Sequence, residues 1–421
     1  MKASIDKSEV KGKVIAPSSK SYTIRGLMCA ALAKGESEII HPLSSDDTDA
    51  TLNVLSKVGI HIHQKGDSWQ VIGGDFHKPD TDLFCGESAA TLRFTTAICS
   101  LIPGRCKLLS GPSLSRRPVK PLIEALRQLG VNCSCRGELP PVMVEGGRLK
   151  GGVAELPGNI SSQFVSALLF ISPFAEDGVT IRLTTPLESK PYVLMTLDCL
   201  QMFGVTVGFS EELDEFEVFK QIYEPTKYEV EGDWSSASYF LALGAVCGEM
   251  EVENLDPKSW QGDKMILNFL TDMGALVKVN KNSVKVKSSG LNAIKADLSD
   301  CIDLLPTIAV LAAMADGVSE FTGIERARLK ESNRVLAIKE GLKRMGIEVI
   351  EERNKLTITG SKPKGSLIDS KGDHRIAMAF SILGSVVGGT IIDGAECVSK
   401  TYPEFWDGLK SIGGEVKING K

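Results

Sequence analysis

Residues 17–26 read PSSKSYTIRG and lead straight into the apolar run LMCAALA, so Lys20, Ser21 and Arg25 stand together where a buried helix would begin. The first turn of a helix has unpaired N–H groups and a positive dipole end, which makes it a place to hold an oxyanion. Similar polar groups open five further apolar runs: ESAATLR (87–93), SSQ (161–163), DWSS (233–236), DLLPT (303–307) and GDHR (372–375). Taken singly, Ser, Thr and Asp there are ordinary N-caps. The cations Lys20, Arg25, Arg93 and Arg375 are not, because the dipole disfavours positive charge in the first turns by roughly 0.3–1 kcal/mol each. An anionic group is expected to compensate them. More cations gather in short loops, Arg116 and Arg117 in SLSRRP, Lys190 in ESKPY, Lys330 and Arg334 in RLKESNR, and Lys400 in SKTYP. Among them stand Asp303 and Glu331, which read either as helix-start carboxylates or as a general base and a general acid. The chemistry suggested is proton transfer on an anionic substrate held in a cleft.

What positions these groups is an internal repeat. The pattern L-x-x-Φ-G, with Φ apolar, occurs as LSKVG, LRQLG, LQMFG, LTDMG, LKRMG and LKSIG, with glycines at 59, 130, 204, 274, 346 and 413. The spacings are 71, 74, 70, 72 and 67 residues, so the chain reads as six copies of one unit. Each glycine suits a helix C-terminus and precedes an alternating run, as in GIEVIEERNKLTITG (346–360), which predicts a hairpin. Upstream in each copy lies a helix apolar nearly all round, which belongs inside a core. The unit reads β-α-β-α-β-β. The sixth copy ends short of its hairpin, and the N-terminal ASIDKSEVKGKV is expected to supply its missing strands. The copies then divide three and three: residues 17–228 form one domain, and 1–16 with 229–421 the other, with hinge crossings near 12–18 and 225–232. A closed six-unit solenoid is the alternative.

Hydrophobic residues at 43% and charged ones at 24% describe a globular chain, and a net charge of −5 offers no general attraction to nucleic acid or anionic membrane. No signal-peptide pattern or apolar stretch of about 18 residues is present, so a cytoplasmic location is expected. Ten Cys without a C-x-x-C spacing suit reduced, mostly buried thiols, and His61 and His63 read as a surface strand, with no metal set. Walker A, G-x-G-x-x-G, H-E-x-x-H and G-x-S-x-G motifs are absent, which disfavours nucleotide binding, zinc hydrolysis and acyl-enzyme chemistry.

In collinear order, PSSKSYTIR, TLR, RRP, SSQF, SKPY, EGDWSSASYF, the Asp303 helix, LKESNR, GDHRIAMAF and SKTYPEF resemble the 5-enolpyruvylshikimate-3-phosphate synthase family, the 3-phosphoshikimate 1-carboxyvinyltransferases of the shikimate pathway to chorismate and aromatic amino acids. The resemblance implies a two-domain inside-out α/β barrel of six βαβαββ repeats. It also implies transfer of the enolpyruvyl group of phosphoenolpyruvate to the 5-hydroxyl of shikimate 3-phosphate, by addition and elimination through a tetrahedral ketal, with no metal or organic cofactor.

Carried over by motif, Asp303, Glu331, Lys330 and Lys20 are implied to be catalytic. Shikimate 3-phosphate falls to Lys20, Ser21, Arg25, Ser161, Ser162, Gln163, Ser189, Tyr192, Asp303, Arg326 and Lys330. Phosphoenolpyruvate falls to Lys20, Ala89, Ala90, Arg117, Gln163, Arg334, Arg375 and Lys400. Where the family usually has N-[AS]-G-T-x-x-R, this chain runs from Glu87 to Arg93 with Ala89 at the usual Gly and Ala90 at the usual Thr, which implies weakened inhibition by glyphosate. Arg326 stands where some relatives have Asn. The rival within the fold is the sister enzyme that transfers enolpyruvyl to UDP-N-acetylglucosamine. It typically places a Cys in the loop matching SGPSLSRRP, which here has none. A non-catalytic anion-binding protein is the rival outside it, disfavoured by Asp303, Lys330 and Glu331. A monomer is expected, since no coiled coil or long apolar edge appears.

Overall fold

In a computed structural model of the protein, described over residues 1–420, every glycine of the L-x-x-Φ-G series follows a helix. These helices are Asp46–Lys57, Lys120–Gln128, Lys190–Met202, Ile266–Asp272, Arg334–Arg344 and Phe405–Ser411. The six glycines have φ between 78° and 103°, the left-handed region that closes a helix and that side chains with a Cβ rarely enter. The six apolar runs form the buried helices Lys20–Leu32, Ala89–Ile98, Ser162–Ile171, Trp234–Cys247, Leu305–Ala312 and His374–Val387.

Each repeat adds one four-stranded sheet of a single plan, six in all. In the second, Leu83–Phe84 pairs in parallel with Gly104–Leu109, which pairs antiparallel with Leu139–Gly146, which closes a hairpin with Asn132–Arg136. A parallel neighbour requires a crossover, and the buried helix supplies it.

The N-terminus is used differently from the expectation that it completes the sixth copy alone. Lys2–Ile5 does enter that sheet, between Thr390–Asp393 and Val416–Asn419, with Ala3 and Ile5 turned inward. Val10–Ile15 instead pairs in parallel with Gly248–Glu253 of the fourth copy. The sixth copy already owns three strands and lacks only one, whereas the fourth lacks its parallel strand because Lys227–Glu229 pairs with Gly35–Ile40 of the first.

The chain forms two compact units, Ser18–Glu231, and Met1–Pro17 together with the chain from Gly232 onward. In the first, Ala89–Ile98 packs on Ser162–Ile171 and on Lys20–Leu32; in the other, the three buried helices pack on one another. Among the described residues no helix is long and apolar enough to cross a membrane, and the ten Cys are free thiols, seven of them buried.

Candidate active site

In the unit Ser18–Glu231, Ser19 caps the first buried helix and Lys20 begins it. The Lys20 ammonium donates to Asp47 Oδ2 at 2.9 Å, and Asp47 is itself buried. Arg25, only 2% exposed, is held by three neutral oxygens: Thr196 Oγ1 at 2.8 Å, the Ser21 carbonyl at 3.0 Å and the Tyr192 carbonyl at 2.9 Å. The rings of Phe94 and Tyr192 lie 5.5 and 5.9 Å from its guanidinium carbon. Arg93 donates from Nη1 to Ser161 Oγ (2.9 Å) and Gln163 Oε1 (2.8 Å), and from Nη2 to the Pro118 carbonyl (3.1 Å). Lys20 thus finds the expected anionic compensation, while Arg25 and Arg93 find neutral acceptors. A buried guanidinium needs its fork of donors satisfied, and carbonyl and hydroxyl oxygens can do that.

Ser161 caps the helix Ser162–Ile171, and Ser189 precedes the helix Lys190–Met202, which packs against it. Ser189 is buried with φ 57° and ψ 44°, a left-handed conformation of the kind that costs of order 1–3 kcal/mol for a non-glycine residue and clusters at ligand sites. Ala89 and Ala90 are the first two residues of the helix capped by Ser88, and Arg117 is buried at the end of the short turn Leu114–Arg116.

In the unit that continues from Gly232, the cations and carboxylates form one network around Arg334. Its Nη1 donates to Asp303 Oδ1 at 2.6 Å, its Nη2 to Glu331 Oε2 at 2.6 Å and its Nε to Asp373 Oδ2 at 2.8 Å. Lys330 Nζ lies 3.2 Å from Asp303 Oδ1, Arg375 Nη2 lies 3.2 Å from Asp303 Oδ2, and Lys400 Nζ lies 3.9 Å from Glu331 Oε1. Asp303 therefore faces Lys330, Arg334 and Arg375, and Glu331 faces Arg334 and Lys400. Neither carboxylate caps a helix: Asn333 caps Arg334–Arg344, and Leu304 stands at the cap position of Leu305–Ala312. Arg326 is buried, donates to the Ser299 carbonyl at 2.6 Å, and lies near enough to Lys330 for its positive charge to add to burial in pushing that ammonium's pKa down.

Burial alone would raise the Asp303 carboxyl, but Arg375, Lys330 and Arg334 outweigh it and hold the group well below the usual carboxylate range. Burial pulls Lys330 down to about 8 against the pull of Asp303. Hence kcat/KM, which reports the free enzyme, should fall above about pH 8 as Lys330 loses its proton. In a Lys330→Arg variant the residual activity should lack that alkaline limb, since arginine stays charged. An unchanged limb in the variant would assign it to another group.

Three carboxylates and one arginine in this machinery were given no site role from the sequence, although Arg93 stood out there as a helix-start cation and Asp373 as a cap. Asp47 holds Lys20; Arg93 holds Ser161 and Gln163; Asp373, a cap by type, also anchors Arg334. Asp263 is buried, pushed up to about 6 by burial and by Asp303, with Ser235 donating to its Oδ2 and Oδ1 without a hydrogen-bond partner among the described residues. A signal was present: Asp47 and Asp263 lie 12 and 11 residues before the repeat glycines Gly59 and Gly274, Asp47 in the first turn of Asp46–Lys57 and Asp263 in the short turn Gly262–Met265 that leads into Ile266–Asp272.

Residues 5–409 match the family model described as EPSP synthase (3-phosphoshikimate 1-carboxyvinyltransferase). The chain is 51% identical over 418 residues, 99% of each chain, to a 3-phosphoshikimate 1-carboxyvinyltransferase of Dehalococcoides mccartyi. It is 41% identical over 426 residues, covering both chains fully, to one of Methanothermobacter thermautotrophicus. Among solved structures, the EPSP synthase from Acinetobacter baumannii superposes over the full length of both chains with a TM-score of 0.84 at 26% identity. The enolpyruvyl transferase NikO from Streptomyces tendae superposes with a TM-score of 0.79 over 99% of this chain and 98% of its own; at 16% identity that is a likeness of fold alone.

Proposed function

This chain belongs to the EPSP synthase family, and from that premise we propose how its residues divide the work of the reaction. It transfers the enolpyruvyl group of phosphoenolpyruvate to the 5-hydroxyl of shikimate 3-phosphate and releases phosphate. The nucleotide-sugar alternative is set aside, because the family model and the relatives carry the shikimate name.

Ser21 and Arg25 take the shikimate carboxylate, Ser161, Ser162 and Ser189 its 3-phosphate, and Tyr192 packs beside its ring, with Arg326 and Lys330 completing the set. Lys20, Arg117, Arg334, Arg375 and Lys400 take phosphoenolpyruvate, the backbone at Ala89 and Ala90 approaches it, and Gln163 serves both substrates. Asp303 removes the 5-hydroxyl proton, with Lys330 orienting or relaying it, while the oxygen bonds to C2 of phosphoenolpyruvate and Glu331 protonates the C3 methylene. The resulting ketal loses phosphate, which leaves with the proton taken by Asp303, and the methyl group returns its proton to Glu331 as the double bond re-forms.

What supports this division best is the pair Asp303 and Glu331, the first facing Lys330, Arg334 and Arg375, the second Arg334 and Lys400. Three cations make Asp303 a poor base in the free protein. Anionic substrates that draw Arg334, Arg375 and Lys330 toward themselves raise its basicity when a base is needed. The enzyme works in this reading as a cytoplasmic monomer without metal or organic cofactor.

Phosphate release with phosphoenolpyruvate, measured with shikimate 3-phosphate and in parallel with UDP-N-acetylglucosamine, tests the reading. Release with shikimate 3-phosphate alone is expected; release with the nucleotide sugar alone, or with neither acceptor, would sink it.

The Ala89 methyl group crowds glyphosate more than the smaller phosphoenolpyruvate. Overpacking by one methyl costs typically about 1–3 kcal/mol, so Ala89→Gly should lower the glyphosate inhibition constant against phosphoenolpyruvate by about fivefold or more. A native constant already in the low micromolar range, or no change in the variant, would remove Ala89 from this role.

A further inference from the structure

The turn that carries Arg117 is tied to the start of the Ala89 helix by one side chain. Glu87 accepts the Ser113 N–H at Oε1 (3.1 Å) and the Leu114 N–H at Oε2 (2.7 Å). Those amides open the turn Leu114–Arg116, where donors have no partner within the turn and a carboxylate is the strongest acceptor available to them. The two strands of chain are joined again beside it, by Gly111 N–H to the Gly86 carbonyl at 2.7 Å. Gly111 leaves the carboxylate its room, since a Cβ there would lie 2.3 Å from Glu87 Oε1 and would displace it. From the clamped amides the chain continues without slack: Ser115 N–H donates to the Gly111 carbonyl at 2.9 Å and Arg117 N–H to the Leu114 carbonyl at 3.0 Å. On the other side of Glu87, Ser88 caps the helix that begins at Ala89.

We propose that Glu87 is a positioning residue for phosphoenolpyruvate, a carboxylate clamp that fixes Arg117 relative to the Ala89 helix start. The inference rests on the assignment of Arg117 and Ala89 to phosphoenolpyruvate. A carboxylate suits the task because it offers one oxygen to each amide. The Asn usual in the family is shorter by one methylene and has a single acceptor oxygen, and Gln would turn an NH₂ toward a backbone N–H.

The experiment is steady-state kinetics of phosphate release in Glu87→Gln, Arg117→Ala and the double variant, with thermal unfolding of each. Glu87→Gln should raise KM for phosphoenolpyruvate about tenfold or more, while kcat and KM for shikimate 3-phosphate stay within about twofold. In the Arg117→Ala background the same change should add little. Gly111→Ala, which pushes on the carboxylate from the opposite side, should reproduce the KM effect. If Arg117→Ala raises that KM but Glu87→Gln and Gly111→Ala do not, the clamp has no positioning role. If Arg117→Ala leaves it unchanged, the underlying assignment of Arg117 fails instead. Unfolding of both Glu87→Gln and Gly111→Ala would mark the clamp as a stability element and overturn the proposal.

Discussion

Asp303→Asn should lower kcat for phosphate release by about a thousandfold, within the 10²–10⁴ that a positioned acid or base contributes, while shikimate 3-phosphate still binds. Asparagine keeps the shape of the side chain and an acceptor for Arg334 or Lys330, but it cannot take a proton. The substitution also removes the group that raises Lys330, so the alkaline limb of any residual activity should move below about pH 8. Pre-steady-state phosphate release at saturating substrates, with calorimetric titration of shikimate 3-phosphate, separates chemistry from binding. A loss under about tenfold would assign the proton transfer elsewhere, and Glu331 would then be examined for both steps.

The largest effect on the fold is expected at Arg334. Its side chain is 1% exposed and ion-paired to Asp303, Glu331 and Asp373, themselves 13%, 12% and 0% exposed. Removing one member of a buried pair leaves the other charge uncompensated, at about 3–5 kcal/mol. Arg334→Leu should therefore lower the stability of the unit that continues from Gly232 by that order, read as a fall in its urea midpoint, and abolish turnover. Adding Asp373→Asn should restore part of the loss, because Asp373 is the carboxylate with no access to solvent. If the single variant loses less than about 1 kcal/mol, the network does not support the fold, and Arg334 is retained for the substrate alone.

Much of this was legible in the chain. The repeat glycines, the helices they end and the six apolar helices follow from signals that act within one or two turns: a left-handed C-terminal residue, an N-cap, and apolar side chains on every face. Cations at helix starts were visible for the same reason, because the dipole makes them anomalous at their own position.

The partners were not legible. Arg334 joins an Asp 31 residues before it to one 39 residues after it, and Arg93 reaches serine and glutamine 68 and 70 residues away. No local rule says whether a buried guanidinium will meet a carboxylate, as Arg334 does, or carbonyl and hydroxyl oxygens, as Arg25 does. Asp373 reads as a cap and is one, yet only packing brings Arg334 against it. Glu87 reads as a departure from a motif until the turn at 113–114 presents two amides to it. The N-terminal strands show the same division. The N-terminal run ASIDKSEVKGKV was legible as a source of missing strands, but which sheet Lys2–Ile5 and Val10–Ile15 each enter depends on which sheets lack an edge. The sequence by itself determined the repeat, its elements and the residue types available for the chemistry. Tertiary structure alone decided which charges neutralise one another, because that depends on distances set by chain segments far apart in sequence.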